Sequence, residues 1–232
     1  MRRDARAVIF DLDDTLYPYR RFRLSGFLAV ARHLADRAGL DARLGFTTLA
    51  AASRGPARGA ELQACLAQYD LPQAWLPDLI EMVRYHSPRL TLPPASRRTL
   101  HALRAEGWRL GVLTNGPRSI QAAKVDALGL APYVDVIGYA SVLGSGRGKP
   151  DPDAFAWMAR ELSAPVRRTI VVGDNESCDI AGALAAGMVP VRCAAWIPAP
   201  AETAARVVID RLSRLPAMAG SLLEEASNRH AA

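Results

Sequence analysis

Two carboxylates at i and i+2, Asp11 and Asp13, stand directly behind the apolar run Ala7-Val8-Ile9-Phe10. The run reads as a buried strand that leaves a sheet at its C-terminal edge, where open α/β sheets bind their ligands. In the turn that follows, both acids are released from strand alternation and can face one point. Acids brought together repel and lose hydration unless a cation or a shared proton compensates them, so the pair points to acid–base or cation chemistry. The competing reading is an Asp-rich turn that caps the next helix, because Asp14 and Thr15 are both good capping residues.

Three later segments weigh against a simple cap. Val112-Leu113-Thr114-Asn115-Gly116 is an apolar strand ending in a hydroxyl, Gly148-Lys149-Pro150 puts a lysine in a glycine-rich loop, and Ile170-Val171-Val172-Gly173-Asp174 is a strand ending in an acid, with Asp179 beyond it. In that order the four segments resemble the haloacid dehalogenase-like (HAD) hydrolase superfamily, whose pattern is DxDxT, then Thr or Ser, then Lys, then GDxxxxD. The fit is Asp11 through Thr15, Thr114, Lys149, and Gly173-Asp174 through Asp179, and the resemblance spans roughly residues 6 to 195.

The resemblance implies phosphoryl transfer, with Asp11 as nucleophile forming an aspartyl-phosphate and Asp13 as general acid and then general base. It also implies Thr114 as donor to a phosphoryl oxygen, with Asn115 beside it in the substrate site, and Lys149 as the charge on the transferring group. A magnesium ion would be held by Asp11, Asp174 and the backbone carbonyl of Asp13, with Asp179 either supporting it through water or orienting Lys149; magnesium is a hard cation suited to such oxygen ligands. The expected substrate is a small phosphorylated metabolite, with a nucleotide or sugar phosphate favoured by the opening Asp-Leu-Asp-Asp-Thr-Leu-Tyr-Pro. A 2-haloacid dehalogenase would share the nucleophile but need neither metal nor Asp13. A phosphomutase would use the same apparatus, and a non-catalytic binding relative stays open because fold alone does not guarantee an activity.

The loop before Lys149, Gly144-Ser145-Gly146-Arg147-Gly148, is richer in glycine than the family usually shows. It is not a nucleotide P-loop, as Leu143 replaces the first glycine of GxxxxGK and Pro150 the required Ser or Thr. Of the 29 Lys and Arg residues all but Lys124 and Lys149 are arginine. Lysine is a compact point charge where arginine is a wide planar fork, so a lysine kept in the glycine-rich loop suits a tight phosphate site. Lys124, on the helix after Thr114, is expected to be an ordinary solvent-facing charge.

These segments need a scaffold. The rhythm is strand 7–10, then, from Thr114 backwards and forwards, helix to Gly107, strand 108–114, helix 119–128, strand 133–139, helix 153–162, strand 169–173, helix 178–186 and strand 189–193. Ser96 is expected to cap the helix that carries Leu100 and Leu103. Val207 to Ile209 suggests an edge strand, Leu212 and Leu215 a last helix, and Ser227 to Ala232 a frayed end. Single helices between strands imply an α/β fold, a Rossmann-like and mostly parallel sheet with helices on both faces. From Tyr17 onward apolar residues recur at helical spacing, divided by Gly39, Arg54-Gly55-Pro56, Pro72 and Pro77 into several short helices. The expected organisation is a core of residues 1–16 and 91–232 with an all-helical insertion at 17–90, which the resemblance identifies as a cap that selects substrate. Arg20, Arg21 and Arg23, close behind the first motif, are candidates for an anionic part of the substrate.

With half of its 232 residues apolar, the chain can bury one full core and a small second unit. Cys65, Cys178 and Cys193 fit neither a disulfide framework nor a zinc site, which suggests a reducing, cytoplasmic setting. Cys178 is either a thiolate near a helix start or a small buried residue. His33, His86, His101 and His230 have no metal-like spacing. The apolar run behind the basic N-terminus breaks at Asp11, too early for a signal peptide or membrane span. The net charge of +6 comes from scattered arginines with few aromatics, so no nucleic-acid partner is expected and an anionic small molecule is. Nothing in the pattern specifies an oligomeric state.

Overall fold

A computed structural model describes residues 5–229. The chain divides into two compact units, one made of the chain up to Pro18 together with the chain from Thr91 onward, the other of Tyr19–Leu90.

Unit one is built on β1 (Ala7–Phe10), and unit two then follows as α1 (Arg20–Ala38), α2 (Ala42–Ala52), α3 (Glu61–Gln68) and α4 (Leu76–Tyr85). Phe27, Val30 and Leu34 on α1 meet Leu49, Leu62, Cys65, Leu66 and Leu79 in a separate apolar core. Asp41 caps α2 by accepting from the Leu44 amide at 2.8 Å. The helices are not all short: α1 runs for 19 residues until Gly39 takes the left-handed conformation that ends it. Tyr19, not Asp14 or Thr15, stands at the N-cap position of α1. Asp14 and Thr15 precede α1 by several residues, and Asp14 has φ 56° within a tight turn.

Back in unit one come α5 (Pro94–Ala105), β2 (Arg109–Thr114), α6 (Arg118–Leu128), β3 (Val136–Tyr139), α7 (Pro152–Glu161), β4 (Thr169–Gly173), α8 (Ala181–Ala185), β5 (Val189–Cys193), β6 (Val207–Ile209) and α9 (Leu215–Arg229). Among the described residues the strands form one six-stranded sheet in the order β3-β2-β1-β4-β5-β6, parallel throughout. The strands that carry acids and threonine, β1, β2 and β4, are neighbours at its centre. Their side chains are buried on both faces, which is why they read as continuous apolar runs. Ile9, Leu113 and Val171 pack on Phe155, Met158 and Ala159 of α7 and Ala183 of α8.

Several expected boundaries move for local reasons. Tyr133 ends a 3-10 turn over Ala131–Tyr133, so β3 begins only at Val136. The segment from Cys178 is not a plain α-helix: Glu176–Ile180 forms a π turn in which the Ile180 amide reaches back five residues to the Asn175 carbonyl, and the α-helix follows it. The last helix continues through Arg229, so Ser227 to Arg229 are helical, while the frayed end expected for the rest, with His230, lies outside the described residues.

Ser96 also departs from expectation. Pro93, not Ser96, precedes the first residue of α5, and Ser96 is buried in the first turn with its hydroxyl donating to the Leu16 carbonyl at 2.7 Å. That bond ties the turn after β1 to α5 across 80 residues of sequence. Ser96→Ala should therefore leave a buried carbonyl unmatched and lower stability by about 1–2 kcal/mol, read as a shifted urea midpoint with unchanged slope.

Candidate active site

The Asp11 amide donates to the Val172 carbonyl at 2.8 Å, so the β1–β4 ladder continues into the first acid and fixes it at the centre of the sheet edge. Behind it the chain turns sharply: the Leu16 amide bonds Leu12, and the Asp14 amide bonds Tyr17. This brings buried Tyr17 under Asp13, to whose Oδ1 its hydroxyl donates at 2.6 Å.

Lys149 lies at the middle of the site, 6 % exposed. Its Nζ donates to Asp11 Oδ1 at 2.6 Å, to Asp179 Oδ1 at 2.6 Å and to the Leu113 carbonyl at 3.0 Å, which matches the three donors of an ammonium. Asn115 holds this loop rather than open space: its Oδ1 accepts from the Lys149 amide at 2.7 Å and its Nδ2 donates to the Lys149 carbonyl at 3.0 Å. Gly148 is required there, with φ 77° and a position where a Cβ would come within 2.8 Å of Asn115 Oδ1.

Asp179 is brought in by the π turn. It is buried, and its Oδ2 accepts from the Asn175 amide at 3.1 Å. A Cβ on Gly173 would fall 2.3 Å from the Asp179 carboxyl carbon, so only glycine lets this acid lie against the end of β4. One carboxylate oxygen each from Asp11, Asp174 and Asp179 lie within 4.8 Å of one another.

Two of these carboxylates share one ammonium. Burial works to lower the Lys149 pKa, but the charges of Asp11 and Asp179 outweigh it and hold the group cationic. Asp11 is pushed up to about 8, by burial first and by the repulsion of Asp179 and Asp13, because its share of Lys149 does not compensate. Asp174 is raised to about 6 by burial and by Asp179 and Asp14. Ionised together, the three acids would outnumber the one ammonium, and their hard oxygen donors fit a divalent cation such as magnesium.

Lys124 is not a surface charge. It is 3 % exposed and its Nζ donates to Asp13 Oδ2 at 2.7 Å. Gln121, Lys124, Val125 and Leu128 are the buried residues of α6, at i, i+3, i+4 and i+7, so the lysine belongs to the inward stripe. Gln121 is a site residue that no motif marks. Its Nε2 donates to Asp13 Oδ2 at 3.1 Å and also to the buried Thr114 hydroxyl. The inward stripe on this helix is the signal for both.

The remaining candidates belong to other elements. Arg20, Arg21 and Arg23 belong to the helical unit, in the first turn of α1; Arg20 and Arg21 are exposed. The Arg23 guanidinium pairs with Glu61 at 2.6 Å and lies over Phe27, so its charge is already balanced within that unit. Burial raises the Cys65 thiol, and Cys193 to about 11; Cys178 is half-buried in the π turn. The His86 ring lies tilted against Phe22 and His101 meets the Tyr133 ring edge-on, as structural residues do. Among the described residues no helix is long and apolar enough to cross a membrane.

Comparison with known proteins agrees with this geometry. The chain is 30 % identical over 204 residues to a glyceraldehyde 3-phosphate phosphatase of Methanocaldococcus jannaschii, covering 81 % of this chain and 84 % of that one. It is 33 % identical to a phosphoglycolate phosphatase of Rhodospirillum rubrum, over 80 % of this chain and 78 % of the relative. A crystal structure of a HAD family hydrolase from Deinococcus radiodurans, with bound phosphate and sodium, superposes with a TM-score of 0.63 at 25 % identity, covering 94 % of this chain and 97 % of the other. The family model for haloacid dehalogenase-like hydrolases matches residues 5–187, and the chain belongs to that family.

Proposed function

We propose that this hydrolase is a magnesium-dependent phosphatase that cleaves a small phosphomonoester through an aspartyl-phosphate on Asp11. The observation that carries the reading is the pairing of a second acid with the first: Asp13 is held on both carboxylate oxygens by Tyr17, Lys124 and Gln121, two residues from an Asp11 that is bonded to Lys149. A dehalogenase would have no use for so carefully held an acid. Relatives named for glyceraldehyde 3-phosphate and phosphoglycolate support the phosphorylated-metabolite class, and favour small sugar-type phosphates over nucleotides.

In this mechanism an Asp11 oxygen attacks phosphorus as the bond to the leaving oxygen breaks, and Asp13 gives its proton to that oxygen. Water then attacks the aspartyl-phosphate, Asp13 takes the proton from the water, and the Asp11–phosphorus bond breaks to release phosphate. Thr114 already accepts from Gln121, so its own O–H is directed away from that bond and can donate to a phosphoryl oxygen. Lys149 balances charge on the transferring group. Asp11, Asp174 and the Asp13 carbonyl would hold a magnesium ion, whose charge would offset the repulsion between the acids and a bound phosphate, while Asp179, already bonded to Lys149 and to the Asn175 amide, orients the lysine. Tyr19–Leu90 acts as the substrate-selecting cap, and of its basic candidates exposed Arg20 is offered for an anionic substituent ahead of Arg23, whose charge is paired with Glu61. Cytoplasmic action on such a metabolite completes the proposal.

Asp11→Asn keeps the size but not the nucleophilicity, and should abolish turnover of an aryl phosphate; chelation of magnesium should do the same, and activity surviving both would refute the assignment. Lys149→Arg should cost about a hundredfold or more in kcat, since a planar fork cannot place three donors on Asp11, Asp179 and Leu113 within a buried socket. Saturating turnover of the same ester, with a thermal melt as the folding check, decides this.

The raised carboxyls also give a pH-dependent metal effect. In the metal-free protein Asp174 and Asp11 retain protons up to about 6 and about 8, whereas the unfolded chain releases them near 3.8. The folded state binds more protons across that window, so its stability falls as pH rises from about 4 to about 8. Magnesium needs the ionised forms and should restore what is lost. The magnesium-induced rise in Tm should be larger at pH 8 than at pH 6; an equal rise at both would separate the metal from these two acids.

A further inference from the structure

The two lysines of this chain end on the two acids of the first motif, Lys149 on Asp11 and Lys124 on Asp13. For Lys124 the cost is plain. Stripping an ammonium of its water takes several kcal/mol, and its side chain is 4 % exposed while its partner Asp13 is 28 % exposed. The acid alone could have been hydrated from solvent, so burial of the lysine is not explained by a need to satisfy Asp13.

What the lysine does supply is a fixed direction. Asp13 sits on a turn, with one side-chain rotation able to swing its carboxylate. Tyr17 donates to Oδ1 at 2.6 Å, while Lys124 at 2.7 Å and Gln121 at 3.1 Å both donate to Oδ2. Donors on both oxygens from two different elements leave that rotation no freedom. Three other carboxylates, Asp11, Asp174 and Asp179, gather at the same strand ends, and a full charge on α6 draws Asp13 toward the helix where a neutral donor would hold it less firmly. The same Gln121 nitrogen bonds Thr114 at the end of β2, and α6 begins a few residues later, so one rigid strand–helix unit carries both the phosphoryl-oxygen donor and the anchor of the acid.

We propose that Lys124 is a positioning residue for the acid–base step: together with Gln121 it locks the Asp13 carboxylate at a fixed place relative to Thr114, and so relative to the leaving oxygen and then the attacking water. The inference rests on the phosphatase reading above. Lys124 touches neither the phosphoryl group nor the leaving oxygen in this scheme. Its removal therefore damages only the steps in which Asp13 moves a proton, and spares attack by Asp11 on an ester whose leaving group needs none.

That separation is measurable with two substrates. On 4-nitrophenyl phosphate the nitrophenolate leaves without a proton, so magnesium-loaded Lys124→Met should release a burst of about one equivalent per active site at a rate within about threefold of the parent, followed by slow turnover limited by activation of water. On a simple alkyl phosphate, whose leaving group must be protonated, kcat should fall about a hundredfold with no burst and little change in KM. Lys124→Gln, which returns a donor without the charge, serves in the same assay if the methionine variant does not fold by thermal melt. A burst slowed as much as the alkyl turnover would mean that Lys124 merely supports the fold, and undiminished alkyl turnover would mean that it does nothing for Asp13; either overturns the proposal. A parent protein that releases no nitrophenolate would sink the phosphatase reading itself, and that outcome is seen without any variant.

Discussion

One buried ammonium joins what the chain keeps far apart. Lys149 Nζ bonds Asp11, which follows β1, Asp179, which follows β4, and the Leu113 carbonyl within β2, so three neighbouring strands are pinned at a single atom. An unpaired ammonium or carboxylate in that position would be strongly destabilising, whereas the pair with its hydrogen bonds complete is tolerable. The surrounding details follow from this demand. Asn115 grips the Lys149 peptide from both sides, Gly148 and Gly173 give up side chains so that Asn115 and Asp179 can approach, and the π turn at Glu176–Ile180 rotates Asp179 inward.

The same atom leaves the site electrostatically unfinished. Lys149 is a single charge facing Asp11 and Asp179, with Asp174 close by, and burial first, then the repulsion of neighbouring acids, pushes Asp11 and Asp174 up. A site held short of neutrality is costly to the empty protein and favourable to a cation or to chemistry that consumes charge. Stability is surrendered where the function needs a gap.

Much of this was legible in the amino-acid order. Strand-length apolar runs marked β1, β4 and β5 to the residue, because strands buried on both faces leave no ambiguity of period; the half-exposed edge strand β6 was marked by its Val-Val-Ile run, and the parallel sheet followed from the alternation of strands with helices. The acids and Lys149 were visible because each ends a strand or sits in a glycine loop. Less visible were residues whose roles depend on what lies opposite them. Ser96 looks like a cap until Leu16 is seen across from it, Asn115 like a ligand donor until the Lys149 loop folds back, and the π turn replaces a helix for the sake of one buried acid. Lys124 is the instructive case. Its scarcity as a lysine and its place in the stripe with Gln121, Val125 and Leu128 were both on view, yet charge alone suggested the surface.

The central place of β1 has a consequence for how the chain must be made. Ala7 pairs with Arg109 on one side and Thr169 on the other, with the whole helical unit in between. A ribosome releasing N-terminal residues first therefore emits Ala-Val-Ile-Phe, a fully buried tetrad of the sheet, well before its second flank, which is not synthesised until on the order of ten seconds later at ordinary elongation rates. During that wait Tyr19–Leu90 has a core of its own to close, but the strand before it has no partner until β2 emerges and only one until β4 does. High contact order at the first strand makes the nascent chain, rather than the finished enzyme, the species most exposed to aggregation and to capture by chaperones.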